Sequence, residues 1–245
     1  MAVLASGSRD VQAARGSACT PKGILLSRFP RLDILPAAQR ALWPRLADVS
    51  RNSFVLYGGT AVALYLGHRE SVDFDFFTHL PFQPEELFGR YPFLREAEVL
   101  QSQQNTLTII TSGRKTGGVK ISFFGGLRFG RLAPTRATPD AVMNVASPDD
   151  LLAHRLKTIL QRVETKDYLD VDALLESGLS LPTALAGAQL LFPAFSAQEC
   201  LKALTYFEDE ALRDLPAGLE ERLLNAVTNV RSLPTVTLAS GTLSD

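Results

Sequence analysis

Cysteine and net charge are both scarce in this sequence, and each scarcity excludes a class of protein. The 245 residues contain two cysteines, Cys19 and Cys200, which lie far apart and have no cysteine or histidine at metal-ligand spacing. This pattern argues against a disulfide framework or a zinc site, and it favours a reducing, cytoplasmic compartment. The formal net charge is −1, so any attraction to nucleic acid would have to come from a local basic patch.

Long apolar runs are missing as well. None approaches the roughly 20 residues that a membrane-spanning helix requires, so we expect no membrane partner. Residues 1–22 are small and polar and lack the apolar segment of a signal peptide. With 46% hydrophobic residues, the composition is that of an ordinary soluble globular protein, long enough to bury a sizeable core.

The order of the predicted elements indicates an α+β fold. Short apolar runs bounded by turn residues predict strands, and apolar residues three or four apart predict helices. Strands are predicted at 53–57, 72–77, 96–101, 105–112 and 118–124, with an antiparallel hairpin at the Gly-rich turn before the last. Helices are predicted at 36–50, 60–67 and 84–91, from 147 onward, and at 166–177, 182–190, 196–206 and 216–230.

This order divides the chain into four predicted regions. We expect a flexible N-terminal arm at 1–28 and a small mixed sheet with flanking helices at 29–146. A helical C-terminal lobe is predicted at 147–231, and a flexible tail at 232–245. A cleft between the sheet and the helical lobe would hold a substrate.

The most informative stretch combines a Gly-Gly turn with two carboxylates on a strand. An apolar strand leads into Gly58-Gly59-Thr60, and Asp73 and Asp75 follow on the next strand. Because strand side chains alternate, both carboxylates share one face, while Phe74 and Phe76 share the other. Carboxylates are hard ligands for Mg²⁺, and glycines let backbone N–H groups approach phosphate. Together they predict a Mg²⁺–triphosphate site, although either feature alone also fits a solvated strand or an ordinary turn.

Residues 57–77, which contain this turn and the Asp-Phe-Asp-Phe-Phe run, resemble the signature of nucleotidyltransferase-fold toxins of the AbiEii/AbiGii class. These are the toxin halves of abortive-infection toxin–antitoxin pairs. A second match runs from Ser147 to Asp170, and the resemblance covers roughly residues 50–180. It implies a nucleotidyltransferase core followed by a helical lobe, a nucleoside triphosphate substrate, Mg²⁺ or Mn²⁺ as the metal, and a cognate antitoxin as a partner.

For the first motif we predict that Asp73 and Asp75 are catalytic and bind the metal. Gly58, Gly59 and Thr60 would cradle the phosphates, assisted by the N-terminus of the helix that they open.

Polymerase-like nucleotidyltransferases usually carry a third carboxylate on a later strand. The corresponding strand here offers Lys120 and Ser122, neither of which is acidic. A one-metal or lysine-assisted site therefore remains open, with Lys120 as a predicted phosphate contact or, alternatively, a solvent-facing lysine.

The second motif is rich in basic residues. Arg155 and Arg162 lie seven residues apart and share one helical face, whereas Lys157 is rotated by about 200° from Arg155. Related toxins carry lysine at the Arg155 position. Arginine keeps the charge and can clamp phosphate, but it is a poor proton shuttle. We predict Arg155 to be catalytic; the alternative is a solvated helix face.

Further nucleotide contacts are predicted around these residues. Each has a structural alternative: a salt bridge, a helix-dipole contact or plain exposure. The additional predicted nucleotide-binding residues are Arg69, Arg162, Lys166, Asp167 and Asp170. His68 precedes Arg69 as a weaker acid–base candidate, and Asp150 is primarily a predicted helix cap.

These observations predict a Mg²⁺-dependent nucleotidyltransferase that moves a nucleotide to an acceptor hydroxyl in RNA such as tRNA, in protein or in a small molecule. The resemblance adds a toxin role. One alternative is a non-catalytic nucleotide-binding module on the same fold, and another is an antibiotic-type small-molecule enzyme. A local basic surface for RNA would come from Arg114, Lys115, Lys120, Arg128, Arg131 and Arg136.

Overall fold

A mixed seven-stranded sheet lies at the centre of the computed structural model, which describes residues 29–111 and 117–243. Its strand order is β3-β4-β5-β2-β1-β7-β6. The strands are β1 (Val55–Tyr57), β2 (Asp73–Phe77), β3 (Glu98–Gln103), β4 (Thr106–Ile110), β5 (Lys120–Phe124), β6 (Arg136–Ala137) and β7 (Asn144–Val145). The predicted α+β class is confirmed.

Strand β2, which carries the two carboxylates, is the middle strand of the sheet. It pairs with β1 in antiparallel and with β5 in parallel orientation, so that Asp73 lies beside Lys120. Phe74 and Phe76 are fully buried on the opposite face, in the core. Asp73 and Asp75 therefore project from one face of β2, which is paired with a neighbouring strand on each side.

Nine α-helices flank the sheet in the part of the chain that the structure describes. They are α1 (Ala37–Leu42), α2 (Ala47–Arg51), α3 (Gly58–Leu66), α4 (Pro84–Arg90), α5 (Pro148–Ile159), α6 (Thr165–Glu176), α7 (Leu181–Leu191), α8 (Ala197–Ala203) and α9 (Leu219–Thr228). The helix predicted at 36–50 is divided by a 3₁₀ turn at Trp43–Leu46, because Pro44 cannot donate a backbone hydrogen bond. Two-residue strands such as β6 and β7 were not predicted.

Helix α5 joins the sheet to the helical part of the chain. Its N-cap is Ser147, whose hydroxyl accepts a hydrogen bond from Asp150 N at 3.1 Å, and the helix begins where it was predicted to begin. Its buried face includes Leu152 and Leu156, and it packs against α3, α6 and α7. One continuous buried cluster runs through both parts of the chain. The boundary at residues 146/147 remains a prediction.

The segment predicted as a flexible C-terminal tail makes specific contacts as far as Leu243. Arg131 N donates to Ser240 O at 2.9 Å, Arg131 Nε donates to Thr242 O at 3.2 Å, and Leu243 is fully buried. The predicted N-terminal arm, with Cys19, lies outside the described residues.

Among the described residues, no helix is long and apolar enough to cross a membrane. Cys200 is buried in α8, and burial raises the pKa of its thiol to about 12, which disfavours the thiolate form.

Candidate active site

Asp73 and Asp75 occupy different environments on the same strand face. The Asp73 side chain is 32% exposed, and Lys120 Nζ lies 3.6 Å from its Oδ2. Asp75 lies deeper. Burial raises the pKa of Asp75; the charge of Arg155 opposes this shift, and the negative charge of Asp73 adds to it. Because burial disfavours the charged form of Asp75, a cation that enters the cleft would stabilise this carboxylate.

The Gly-Gly turn lies between Asp75 and two arginines, with no room for side chains. Gly58 has a φ of +73°, and a Cβ on it would lie 2.2 Å from Asp75 Oδ2. A Cβ on Gly59 would lie 2.3 Å from Arg69 Nη2 and 3.1 Å from Arg155 Nη2. The bare backbone of this turn opens α3, whose first N–H groups lack helical acceptors and suit an anion.

Gly58→Ala is expected to damage both the fold and the site. The alanine would adopt a left-handed conformation that costs about 1–2 kcal/mol, and its methyl group would push Asp75 aside. A displacement of this kind lowers catalytic efficiency by about 10²-fold. Thermal unfolding and kcat/KM would measure the two effects. The control is Gly89→Ala in α4, where an added Cβ meets nothing within 4 Å. Equal activity of both variants would contradict the assigned role of the turn.

Thr60 was predicted to bind phosphate, but its hydroxyl is used inside the fold. The residue is buried, and its Oγ1 lies 2.9 Å from Ser71 Oγ and within hydrogen-bond distance of the Asp73 carbonyl oxygen. Thr60 therefore ties the start of α3 to the start of β2. It holds the glycine turn and the carboxylate strand in a fixed relation.

Asp170, a predicted nucleotide contact, is the centre of a buried ionic network. It accepts from Arg69 Nε at 2.7 Å, from Arg69 Nη2 at 2.9 Å and from Arg155 Nε at 2.9 Å, and His68 Nε2 lies 2.7 Å from its Oδ1. Burial alone would raise the pKa of Asp170. The hydrogen bond from His68 and the charges of Arg155 and Arg69 outweigh it and hold that pKa below its ordinary value.

Asp167 makes a second buried connection to the same arginine. It is fully buried and accepts from Arg155 Nη1 and from Arg162 Nε, both at 2.8 Å. Arg162 remains 43% exposed. Lys166 pairs with Glu164 at 2.8 Å and is half-exposed outside the cleft lining. The structure thus brings Arg155 and Arg162 to the cleft, with Asp167 and Asp170 behind them as positioning groups.

Arg155→Lys is expected to lower the free energy of unfolding by about 1–3 kcal/mol. Two nitrogens of the guanidinium bond to two different carboxylates, Asp167 and Asp170, and one ammonium cannot reproduce this fork. Urea denaturation would measure the loss. Arg51→Lys, at an exposed pair with Asp48, is the matched control and should change stability by less than about 0.5 kcal/mol. If Arg155→Lys lowered the free energy of unfolding no more than Arg51→Lys, the contact of Arg155 with two carboxylates would not stabilise the fold.

A cleft of about 290 Å³ opens between the sheet and α5. Its polar lining includes Asp75, Arg155 and Arg162, and its aromatic lining includes Tyr57 and His154. Neither aromatic residue was predicted to line the site. For His154 a usable signal was the spacing along α5, which places residues 151, 154, 155 and 158 along one helical face. Arg162, which was predicted to share a helical face with Arg155, lies beyond the end of α5 at Ile159 and reaches the cleft from the segment that follows.

Several other predicted residues lie elsewhere. Asp150 is buried, and it accepts from Leu132 N at 2.7 Å and from the Ser147 hydroxyl. It therefore holds the segment at Leu132 against the start of α5, whose N-cap is Ser147 and not Asp150. In the predicted RNA surface, Arg131 is buried and Arg136 stacks on Phe29 at 4.6 Å. Arg128 is exposed, while Arg114 and Lys115 lie outside the described residues.

A carboxylate pair on the central strand, beside a glycine turn that opens a helix, defines a nucleotidyltransferase-like site. The family described as "Nucleotidyl transferase AbiEii toxin, Type IV TA system" matches residues 40–235. An uncharacterized protein of Aquifex aeolicus (strain VF5) is 29% identical over 180 residues, covering 69% of this chain and 82% of that protein. The fold is similar to MenT4, a nucleotidyltransferase toxin from Mycobacterium tuberculosis H37Rv, with a TM-score of 0.55, 14% identity, and coverage of 79% and 83% of the two chains.

The chain therefore belongs to the AbiEii nucleotidyltransferase toxin family, and it is a nucleotidyltransferase. This confirms the resemblance that the first motif predicted. At 14% identity, the likeness to MenT4 supports the fold alone.

Proposed function

We propose that this protein transfers a nucleotide from a Mg²⁺-bound nucleoside triphosphate to an acceptor hydroxyl. The observation that carries the proposal is the meeting of three groups in one cleft. Asp75 lies against the bare backbone of Gly58, and Arg155 reaches the same turn from α5. Carboxylates, a glycine turn and a guanidinium together provide for a metal and a phosphate chain.

The cationic side chains would hold the phosphates. Arg155 lies beside Gly59 with its orientation fixed by two buried carboxylates, so it would reach a phosphate without reorganisation. Arg162 keeps its exposed part at the cleft, and Lys120 lies at the Asp73 end. The chemistry needs little more than positioning and charge stabilisation, because the acceptor oxygen attacks the α-phosphorus while pyrophosphate leaves.

Magnesium is the metal that the family implies, and the donor set fits one ion shared with substrate. Asp73 and Asp75 offer carboxylate oxygens on one face, and no group of three or more potential ligands forms a metal site among residues 29–111 and 117–243. Mg²⁺ is commonly held by one or two carboxylates, with substrate phosphates and water completing its shell. When bound, it would neutralise charge on the leaving pyrophosphate.

For the biological setting, we propose a cytoplasmic toxin that is neutralised by a cognate antitoxin. Membership in the AbiEii family supports this setting. We propose that the acceptor is a hydroxyl group in RNA such as tRNA, in protein or in a small molecule. Among the described residues of the predicted RNA surface, Arg131 and Arg136 are engaged in other contacts, so we do not favour RNA over the other acceptors.

The test is label transfer from each of the four α-³²P nucleoside triphosphates in the presence of Mg²⁺. Total tRNA and whole-cell protein serve as acceptors, with the Asp73→Ala/Asp75→Ala double variant as control. We expect label on one acceptor class from a preferred nucleotide, and none with the double variant. Saturable binding of nucleotide without any transfer would favour the non-catalytic module. Transfer to small metabolites alone would favour the small-molecule enzyme.

A further inference from the structure

The strand beside the carboxylate pair, β5, presents a lysine on the same face of the sheet. Asp73 is paired with Lys120, and Asp75 with Ser122, in the parallel register of β2 and β5. Because the side chains of directly paired residues project from the same face, Lys120 and Ser122 lie on the face of the two carboxylates. A polymerase-like nucleotidyltransferase usually has a third carboxylate on this strand, so these two positions decide how a second cation could be held.

Ser122 does not supply a replacement ligand. It is only 4% exposed, and its Oγ accepts from Thr108 Oγ1 at 3.5 Å. Among residues 29–111 and 117–243, no cluster of three or more acidic, histidine or cysteine side chains could hold a metal ion. The two carboxylates of β2 therefore suit one divalent ion shared with substrate, and they leave a second ion without a protein ligand of its own.

Lys120 places its positive charge against both carboxylates. Its Nζ lies 3.6 Å from Asp73 Oδ2, and its side chain is 45% exposed. A contact of this length is an ion pair and not a hydrogen bond, so it leaves the N–H donors of the ammonium available to a substrate. The charge also reaches the second carboxylate: burial raises the pKa of Asp75, and the charges of Arg155 and Lys120 oppose that rise.

We propose that the Lys120 ammonium takes the place of a second metal ion, so that nucleotide transfer needs a single Mg²⁺ at Asp73 and Asp75. Enzymes with two metal ions hold them about 3.5–4 Å apart and use them to stabilise the attacking and the leaving oxygen of an in-line displacement. Lys120 would serve the attacking side by donating hydrogen bonds to the α-phosphate as the acceptor approaches. Its single charge also repels the Mg²⁺ less than a second divalent ion would.

The transfer step balances without a further reactant. The acceptor oxygen forms a bond to the α-phosphorus, and the bond from that phosphorus to the oxygen bridging to the β-phosphorus breaks. Pyrophosphate leaves with the electron pair of the broken bond, and the proton of the acceptor hydroxyl passes to solvent water. Lys120 contributes charge and hydrogen bonds but exchanges no proton. The inference rests on the proposed function and adds to it a catalytic role for Lys120 in the transfer step.

The experiment counts bound metal ions and measures the transfer rate separately. Mn²⁺ replaces Mg²⁺, and electron paramagnetic resonance counts the bound ions in the presence of analogues of the four nucleoside triphosphates in which methylene replaces the α,β-bridging oxygen. The proteins are the wild type, Lys120→Gln, which removes the charge, and Lys120→Asp, which supplies a third carboxylate. The matched control is Lys202→Gln, because Lys202 forms an exposed pair with Glu199 on α8, outside the cleft lining.

The wild-type protein and Lys120→Gln should each bind one Mn²⁺ with the preferred analogue, and Lys120→Asp should bind two. Lys120→Gln should transfer nucleotide about 100-fold more slowly than the wild type, while Lys202→Gln should stay within about twofold. Circular dichroism confirms that each variant is folded.

Three results would overturn the inference and leave the proposed function standing: two Mn²⁺ in the wild type, only one in Lys120→Asp, or a transfer rate of Lys120→Gln within about twofold of the wild type. Absence of nucleotide transfer by the wild-type protein would contradict the proposed function and this inference with it.

Discussion

Asp75→Asn is expected to lower the rate of nucleotide transfer by at least about 10³-fold without unfolding the protein. The substitution keeps the size of the side chain and removes the negative charge that a metal requires. Asp73→Asn should act in the same direction, since both carboxylates share one strand face. Pyrophosphate release in the presence of acceptor and Mg²⁺ measures the rate, and circular dichroism confirms the fold.

The matched control for this prediction is Asp48→Asn. Asp48 is an exposed carboxylate paired with Arg51 on α2, outside the cleft, so its loss should leave the transfer rate within about twofold. A rate for Asp75→Asn within tenfold of the wild-type rate would mean that the carboxylate pair is not the catalytic centre.

Asp170→Asn is expected to produce the largest loss of stability, about 3–5 kcal/mol. The fully buried carboxylate accepts hydrogen bonds from Arg69 and Arg155, and its neutral replacement would leave two charged guanidinium groups without their counter-charge. Guanidinium chloride denaturation at neutral pH measures the change. Asp48→Asn is the control. The Asp48 side chain is 61% exposed in its pair with Arg51, so we expect a loss of about 1 kcal/mol or less.

The stability difference between the wild-type protein and Asp170→Asn should also depend on pH. The folded protein holds the pKa of Asp170 below its ordinary value, so this group contributes stability at pH values above the ordinary carboxyl range. That contribution is lost as the pH falls from about 3.9, the unfolded value, through the folded pKa. The stability difference between wild type and Asp170→Asn should therefore be constant near neutral pH and shrink at acidic pH. A difference that grew on acidification would contradict the assignment.

The arrangement of the two carboxylates on β2 was predictable from sequence because it depends only on neighbouring residues. Alternation along β2 places Asp73 and Asp75 on one face whatever the rest of the chain does, and the structure retains that arrangement. The helix that starts after Ser147 was equally predictable, because its cap and its apolar spacing lie within a few residues of each other.

The pairing of Arg69 with Asp170 was not predictable in the same way. The two residues are 101 positions apart, and only the packing of α3 against α6 brings the loop after α3 to this carboxylate. Each was predicted as a nucleotide contact because a charged residue in a motif has no visible partner in sequence. The buried environment of His154 was hidden for the same reason, since its aromatic neighbours come from distant segments.

We propose that this chain moves a nucleotide rather than a phosphate. The most direct measurement compares one nucleoside triphosphate carrying ³²P at either the α or the γ position, with the preferred acceptor and Mg²⁺. We expect α label to appear on the acceptor while γ label is released as pyrophosphate, and we expect both signals to be lost in Asp75→Asn. Transfer of γ label to the acceptor, or release of γ label as inorganic phosphate with no labelled acceptor, would contradict nucleotide transfer.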